Sequence, residues 1–248
     1  MKSKNERKRL DVLLIERGLA ETLEKARAMI LAGEVRVGGT PAQKAGDLIS
    51  VGARVEAHSR TLKYASRGGY KLEGALEDFQ VTVAGKVCLD IGSSTGGFTD
   101  CLLQQGASRV YAVDVNTDQL AWKLREDARV VLLKRNAREF RREDIPELVG
   151  LIVVDVSFIS VTRVLQPAAS AAKAGADLLI LVKPQFELPR ELVGEGGIVK
   201  DTVLHEKAVA AVRAAATSAE LECGGVSPSR LTGAEGNQEY FLHARKRP

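Results

Sequence analysis

At 248 residues, 45% of them hydrophobic and 27% charged, the chain can bury a sizeable core, as one large domain or as a medium and a small one. No run approaches the ~20 apolar residues of a membrane span, and the Val12–Ile15 run behind the basic N-terminus is too short for a secretory segment. The net charge of +4 is uneven: residues 1–71 hold 15 Lys+Arg against 8 Asp+Glu, and the remainder is mildly acidic. A basic first quarter suits a phosphate backbone or a solvated face equally.

Along the chain, Leu10, Leu13 and Leu14 recur at helical spacing and Gly18 stops that helix. Thr22 is placed to cap a second helix, TLEKARAMILAG, whose Ala26, Met29 and Ile30 share a face and whose end is Gly33. Short alternating runs follow. Glu34–Val37 leads into Gly38-Gly39, a hairpin signal, then Leu48-Ile49 and Val55, with Ser59–Arg67 read as a polar linker. Arg7, Lys8, Arg9, Arg27 and Arg36, with Arg67 further on, are the candidate RNA contacts, of the phosphate-holding kind that positions without reading bases. The stretch RLDVLLIERGLAETLEKARAMILAGEVRVGG resembles the S4-type RNA-binding module over roughly residues 7–64, with Gly38 where many members carry Asn.

From Gly68 the rhythm becomes alternating helices and strands. GYKLEGALEDF puts Leu72, Leu76 and Phe79 on one helical face. Strands are expected at Val87–Ile91, Arg109–Val115, Val130–Lys134, Leu151–Val156, Asp177–Val182 and Tyr240–Ala244, with helices near 98–105, 117–126, 160–173 and 202–219. That alternation predicts an α/β, doubly wound parallel sheet with ligands at the strands' carboxyl ends, preceded by a small α+β module. The expected division is residues 1–64 and 65–248.

DIGSSTGGFT, residues 90–99, lies at the end of the first of these strands. Gly92, Gly96 and Gly97 permit a tight turn close to a ligand, but Ser94 stands where the dinucleotide fingerprint wants glycine. Asp114, ending the next strand, can accept both ribose hydroxyls of an adenosine cofactor, NAD and S-adenosylmethionine alike; capping the following helix is the alternative, with Asp118 a rival for it. Asn136 can meet an adenine edge or cap its own turn. Asp155, Lys183 and Glu239 adjoin strand ends and Lys71 lies on the helix before the sheet. Two lysines and two carboxylates form a neutral, mutually satisfying set if they converge. Cys88, Cys101 and Cys223 show no metal-ligand spacing; no metal is expected, and buried free thiols in a reducing cytoplasm fit best.

SRGGYKL, DIGSSTGGFTD, VYAVDV, VDVSFIS, LVKPQFE and GNQEYF together resemble the TlyA family, often labelled hemolysin A, which are ribosomal-RNA 2′-O-methyltransferases related to the FtsJ type. The resemblance spans nearly the whole chain. It implies Lys71, Asp155, Lys183 and Glu239 as the catalytic set, and Gly92, Ser93, Ser94, Gly96, Gly97, Phe98, Asp114, Asn136 and Asp155 as the S-adenosylmethionine site. It implies ribosomal RNA or ribosomal subunits as partner, cytidine as target, no membrane and a cytoplasmic setting; no protein partner follows from it. In that chemistry Lys183 orients a weakly acidic ribose hydroxyl; to act as a base it must be neutral, which desolvation and Lys71 favour and the two carboxylates oppose.

Three other readings were set against this one. A pseudouridine synthase shares the N-terminal module, but here RLD is followed by Val-Leu-Leu inside the module. A membrane-lysing hemolysin needs an exposed amphipathic helix, and the apolar stripes here are needed for the core. An RNA-binding protein with a non-catalytic Rossmann-like domain would have lost Lys183 or Asp155. Arg138, Arg141, Arg142 and the tail Arg245-Lys246-Arg247 were further phosphate candidates, and the Gln185–Lys200 loop a candidate cover for the substrate.

Overall fold

The computed structural model describes residues 7–20, 22–31, 33–42, 44–57, 63–233 and 235–248. The chain divides into two units, Met1–Leu62 and Lys63–Pro248. The first contains β1 (Arg7–Arg9), α1 (Leu10–Glu16), α2 (Leu23–Leu31), β2 (Val35–Val37), β3 (Thr40–Pro41), β4 (Leu48–Ser50) and β5 (Val55–Ala57). Leu10, Leu14, Ala26, Met29, Ile30 and Val35 close its core. Gly18 ends α1 at φ +67, and Thr22 Oγ1 accepts the Lys25 N–H at 3.1 Å at the start of α2. Gly38 and Gly39, at φ +60 and +84, make the two-residue turn between β2 and β3; positive φ at both positions is what such a hairpin demands. The all-basic Arg7–Arg9 segment was not expected to be a strand. It is held by antiparallel pairing with β4, an interaction no local pattern announces.

The second unit runs α3 (Gly68–Asp78), β6 (Val87–Ile91), α4 (Gly97–Gln104), β7 (Arg109–Asp114), α5 (Trp122–Arg125), β8 (Val130–Lys134), β9 (Val149–Val154), α6 (Thr162–Ala171), β10 (Ala172–Val182), α7 (Pro184–Glu187), α8 (Thr202–Ser218), β11 (Leu221–Pro228) and β12 (Tyr240–Lys246). The sheet order is β11-β12-β10-β9-β6-β7-β8. The strands from β6 to β10 pair in parallel. β12 is antiparallel to both β10 and β11, so the sheet is mixed rather than wholly parallel. The side-chain period of two splits the core: Leu89 and Ile91 pack with Val164, Leu165 and Val212 on one face, while Cys88 packs with Leu72, Leu76, Phe98 and Leu102 on the other. Consecutive strands progress outward in opposite directions from β6 and β9, which makes the crevice beyond their carboxyl ends the topological switch point.

Three other expectations change. Residues 59–62 of the expected linker lie outside the described residues, but 63–67 belong to the second unit: Tyr64 is 1% exposed and its hydroxyl donates to Glu73 Oε1 at 2.9 Å. The stretch 117–126 is not one helix. It is a 3-10 turn at Thr117–Gln119 and the short α5, separated by extended backbone at Leu120 and Ala121. β11 went unexpected, because its Glu-Cys-Gly-Gly-Val-Ser-Pro pattern lacks an apolar run and suits an edge strand.

Candidate active site

β6 delivers the glycine turn to the switch point, where it lies against the segment after β9. Gly92 has φ +90, and a Cβ there would sit 2.1 Å from the Asp155 carbonyl oxygen, so the close crossing requires glycine. Ser94 adopts φ +49. It takes the left-handed backbone where the dinucleotide pattern places glycine, and its N–H donates to Asp114 Oδ2 at 2.9 Å. Gly96 begins α4, and a Cβ on it would meet Leu124 Cδ1 at 2.3 Å. Gly92, Ser93, Ser94, Gly97 and Phe98 line an open cleft together with Lys71, Asp155, Arg67, Ser66, Gly68, Thr95 and Thr232. Of the last five, Ser66, Arg67, Gly68 and Thr95 lie in the quoted motifs without having been expected at the cofactor site, and Thr232 lies in none; the Arg67 guanidinium, expected as an RNA contact, donates to the Thr232 carbonyl at 3.4 Å.

The four charged residues form two close pairs. Lys71 Nζ donates to Glu239 Oε2 at 2.5 Å, with side chains 11% and 3% exposed. Lys183 Nζ forms an ion pair with Asp155 Oδ1 at 2.5 Å and donates to Ser157 Oγ at 2.8 Å. One member of each pair, Lys71 and Asp155, borders the cleft. Lys183 and Glu239 stand behind them.

Asp114 and Asn136 both take part in the local structure of the loops they begin. Asp114 Oδ1 accepts the Asn116 N–H at 2.9 Å and Gln119 Nε2 at 3.1 Å, so its carboxylate also organises the loop after β7. Asn136 Oδ1 accepts the Arg138 N–H at 3.1 Å and caps its own turn, away from the residues lining the cleft. The Gln185–Lys200 loop is pinned. Asn237 accepts the Val199 N–H and donates to the Gly197 carbonyl, both at 2.9 Å, and His205 Nε2 meets the Val199 carbonyl at 2.8 Å. This bonding speaks against a loosely hinged cover.

In the first unit, Arg9 and Arg27 converge on the buried Asp11, at 2.7 and 3.1 Å. The Arg9 guanidinium holds the Asp11 carboxyl down to about 2. Lys8 pairs with Glu16, Arg36 donates to the Gly39 carbonyl at 3.3 Å, and Arg7 is exposed in β1. Elsewhere Arg245 and Lys246 are engaged by Asp177 and Glu220 and Arg142 by the Ile145 carbonyl, which favours structural roles for them over phosphate contacts.

Phe158 was not singled out from the sequence. It is 89% exposed and holds φ +65, a conformation costly for a non-glycine residue. Its ring lies 5.5 Å from that of Phe186, centroid to centroid. It lies three residues after Asp155, on the segment that leaves β9.

Asp90, the first residue of the glycine motif, is fully buried. Oδ2 accepts from Thr99 Oγ1 at 2.6 Å and Oδ1 has no partner among the described residues. Burial, opposed by the Thr99 hydrogen bond and reinforced by Asp155, pushes its carboxyl up to about 7. Between pH ~4 and ~7 the unfolded carboxyl is ionised while the folded one keeps its proton, so this group takes stability away as pH rises through that window. Asp90→Asn, which keeps an acceptor for Thr99, is expected to gain ~2 kcal/mol on the wild type between pH 5 and pH 7.5, read as the difference in denaturant midpoints. A constant difference across that range would refute it.

An open α/β sheet with a glycine turn at its switch point and paired lysines and carboxylates beside it defines a Rossmann-like methyltransferase. An S-adenosylmethionine-dependent methyltransferase from Mesorhizobium loti shares the fold, with TM-score 0.54 at 15% identity, covering 71% of this chain and 98% of that one. Residues 64–246 match the FtsJ-like methyltransferase model and residues 8–55 the S4 domain. The chain is 46% identical over 241 residues to the 16S/23S rRNA (cytidine-2′-O)-methyltransferase TlyA of Mycobacterium tuberculosis, covering 96% of this chain and 90% of the relative. A solved structure from Streptococcus thermophilus that carries a hemolysin name aligns with TM-score 0.76 and 41% identity, over 97% of this chain and 89% of that one. The chain belongs to the TlyA family of FtsJ-like methyltransferases that carry an S4 domain. No helix among the described residues is long and apolar enough to cross a membrane.

Proposed function

We propose that the protein transfers a methyl group from S-adenosylmethionine to the ribose 2′-hydroxyl of a cytidine in ribosomal RNA, in the cytoplasm, with the S4 domain helping to hold the RNA. The observation that carries this reading is the placement of two lysine–carboxylate pairs on the cleft that the glycine turn opens. The cleft suits the cofactor: the turn residues Gly92, Ser93, Ser94 and Gly97 line it, and Asp114 stands behind Ser94 with acceptor oxygens for a ribose. Residues Gly92, Ser93, Ser94, Gly96, Gly97, Phe98, Asp114 and Asp155 would hold it; Asn136, occupied by its own turn, is the weakest member of that set. When bound, S-adenosylmethionine supplies an electrophilic methyl group on a sulfonium.

The chain's own residues have three tasks. Lys183, held against Asp155 and Ser157, presents N–H to the 2′-oxygen and stabilises negative charge as it develops there. Asp155, whose carboxylate borders the cleft, takes up the hydroxyl proton. Lys71, fixed by Glu239, offers a second cation at the opposite edge and constrains the ribose. Orienting a weak nucleophile in line with the methyl is the largest contribution, since positioning alone can supply several kcal/mol.

RNA recognition commonly targets nucleotides in loops and bulges, whose splayed-out bases stack on aromatic side chains, and Phe158 offers an exposed aromatic face for the base next to the target ribose. Phe158→Ala is expected to lower kcat/KM on ribosomal RNA by ~5- to ~150-fold, the range of a lost base–aromatic stack, with Phe158→Trp close to wild type and cofactor affinity unchanged. Equal activity of the alanine and wild-type proteins would remove this role. The function itself is tested with labelled S-adenosylmethionine and separated ribosomal subunits, mapping the product by resistance of the methylated position to alkaline cleavage. Incorporation at a cytidine ribose is expected. Absence of incorporation into any subunit or its free RNA would overturn the reading.

A further inference from the structure

Lys183 is only 8% exposed, yet one hydrogen bond is all that its ammonium makes among the described residues, the 2.8 Å bond to Ser157 Oγ. The Asp155 carboxylate, 2.5 Å from the same nitrogen, is its ion-pair partner, and a single such contact leaves the ammonium's three donors free to turn about that axis. A lysine ammonium on a flexible four-carbon stem has no planar geometry of its own to impose direction. Its contacts must do so, and among the described residues these are the Asp155 carboxylate on one side and the Ser157 hydroxyl, which supplies the second fixed point that settles how the ammonium is turned.

Ser157 is itself held in place. It ends the Asp155-Val156-Ser157 segment leaving β9, and Phe158 then turns the chain at φ +65. Beyond that turn the segment is fastened to the one leaving β10, on which Lys183 lies. The Phe158 and Phe186 rings are 5.5 Å apart, Ser160 Oγ donates to Glu187 Oε2 at 2.6 Å, and the Val161 N–H donates to Glu187 Oε1 at 2.8 Å. The Ser157–Lys183 bond is therefore the first rung of a ladder between two adjacent post-strand segments, and the later rungs keep its two ends in register. Ser157 is exposed and fills no core space, so packing gives no reason for a serine there.

We propose that Ser157 is a positioning residue for methyl transfer: by accepting one N–H of Lys183 it fixes the direction in which the others meet the ribose oxygen. This rests on the 2′-O-methyltransferase reading above. A hydrogen bond to a charged group contributes roughly 1.5–3 kcal/mol net, so Ser157→Ala is expected to lower kcat by ~10- to ~100-fold. KM for RNA and affinity for S-adenosylmethionine stay within ~2-fold, because neither ligand loses a contact. Ser157→Thr, which keeps the hydroxyl at an exposed position with room for a methyl, restores kcat.

A second readout needs no activity. In protein labelled with ¹⁵N at lysine Nζ, the Lys183 ammonium order parameter falls in Ser157→Ala and recovers in Ser157→Thr. Undiminished kcat with unchanged ammonium order in the alanine variant would overturn the proposal, as would a loss confined to KM. A wild-type protein that methylates no ribosomal RNA would overturn the parent reading instead, and the ammonium measurement would still decide whether Ser157 orients Lys183.

Discussion

Lys183→Met is expected to reduce methyl transfer by ~10²- to ~10³-fold, the usual span for removing a donor aimed at charge that develops in the transition state, with S-adenosylmethionine bound as tightly as by the wild type. The side chain is removed at nearly constant volume, so the wall behind Asp155 stays filled. Removal leaves Asp155 without its cation, but that side chain is 22% exposed on the cleft. Water can reach it, so the fold should lose less than it would for a fully buried carboxylate. Single-turnover transfer at saturating cofactor isolates the chemical step, and calorimetry of cofactor binding checks that the glycine turn is intact. Lys183→Arg should not rescue: a planar guanidinium cannot occupy the place of an ammonium 2.5 Å from Asp155 and 2.8 Å from Ser157 without moving one of them. Transfer within a few-fold of wild type in the methionine variant would move the chemistry to another residue.

The parts of the protein that could be read from sequence are those whose physical causes are local. Strands buried on both faces read as apolar runs, which is why Leu-Ile-Val-Val before Asp155 and Leu-Leu-Ile-Leu-Val before Lys183 were found, and with them the charged residues at their ends. Gly92 was legible as a turn, although the reason it must be glycine, the Asp155 carbonyl 2.1 Å from a would-be Cβ, belongs to a segment 63 residues away. Ser94 was a misfit in a glycine pattern and proves to take glycine's backbone conformation. Pairing was not legible. Nothing local joins Lys71 to Glu239 rather than to Asp155, or Lys183 to Ser157; sheet order does that, through β10 lying between β9 and β12. The antiparallel β12 was likewise hidden, because a strand's direction is set by its partner and not by its own composition. Asn136 shows the opposite limit: the local alternative, capping its own turn, is the one the backbone adopts.

The Lys71–Glu239 pair allows stability and chemistry to be separated. Glu239 is 2% exposed, so Glu239→Leu leaves a nearly buried ammonium unpaired, and losing one partner of such a pair costs roughly 3–5 kcal/mol. For a unit of this size each kcal/mol lowers the melting temperature by ~2–4 °C, which puts the single variant on the order of 10 °C below wild type. Adding Lys71→Met removes the stranded charge. Well-packed apolar replacements of a buried pair are often neutral or better, so the double variant is expected to regain most of the lost stability, a coupling that a double-mutant cycle measures directly. Activity should behave otherwise. If Lys71 faces the cleft to constrain the ribose, restoring the fold without restoring the cation leaves transfer as low in the double variant as in Lys71→Met alone. A double variant that recovered both melting temperature and transfer would mean that the pair braces α3 against β12 and takes no part in the reaction, leaving Lys183 and Asp155 to carry it.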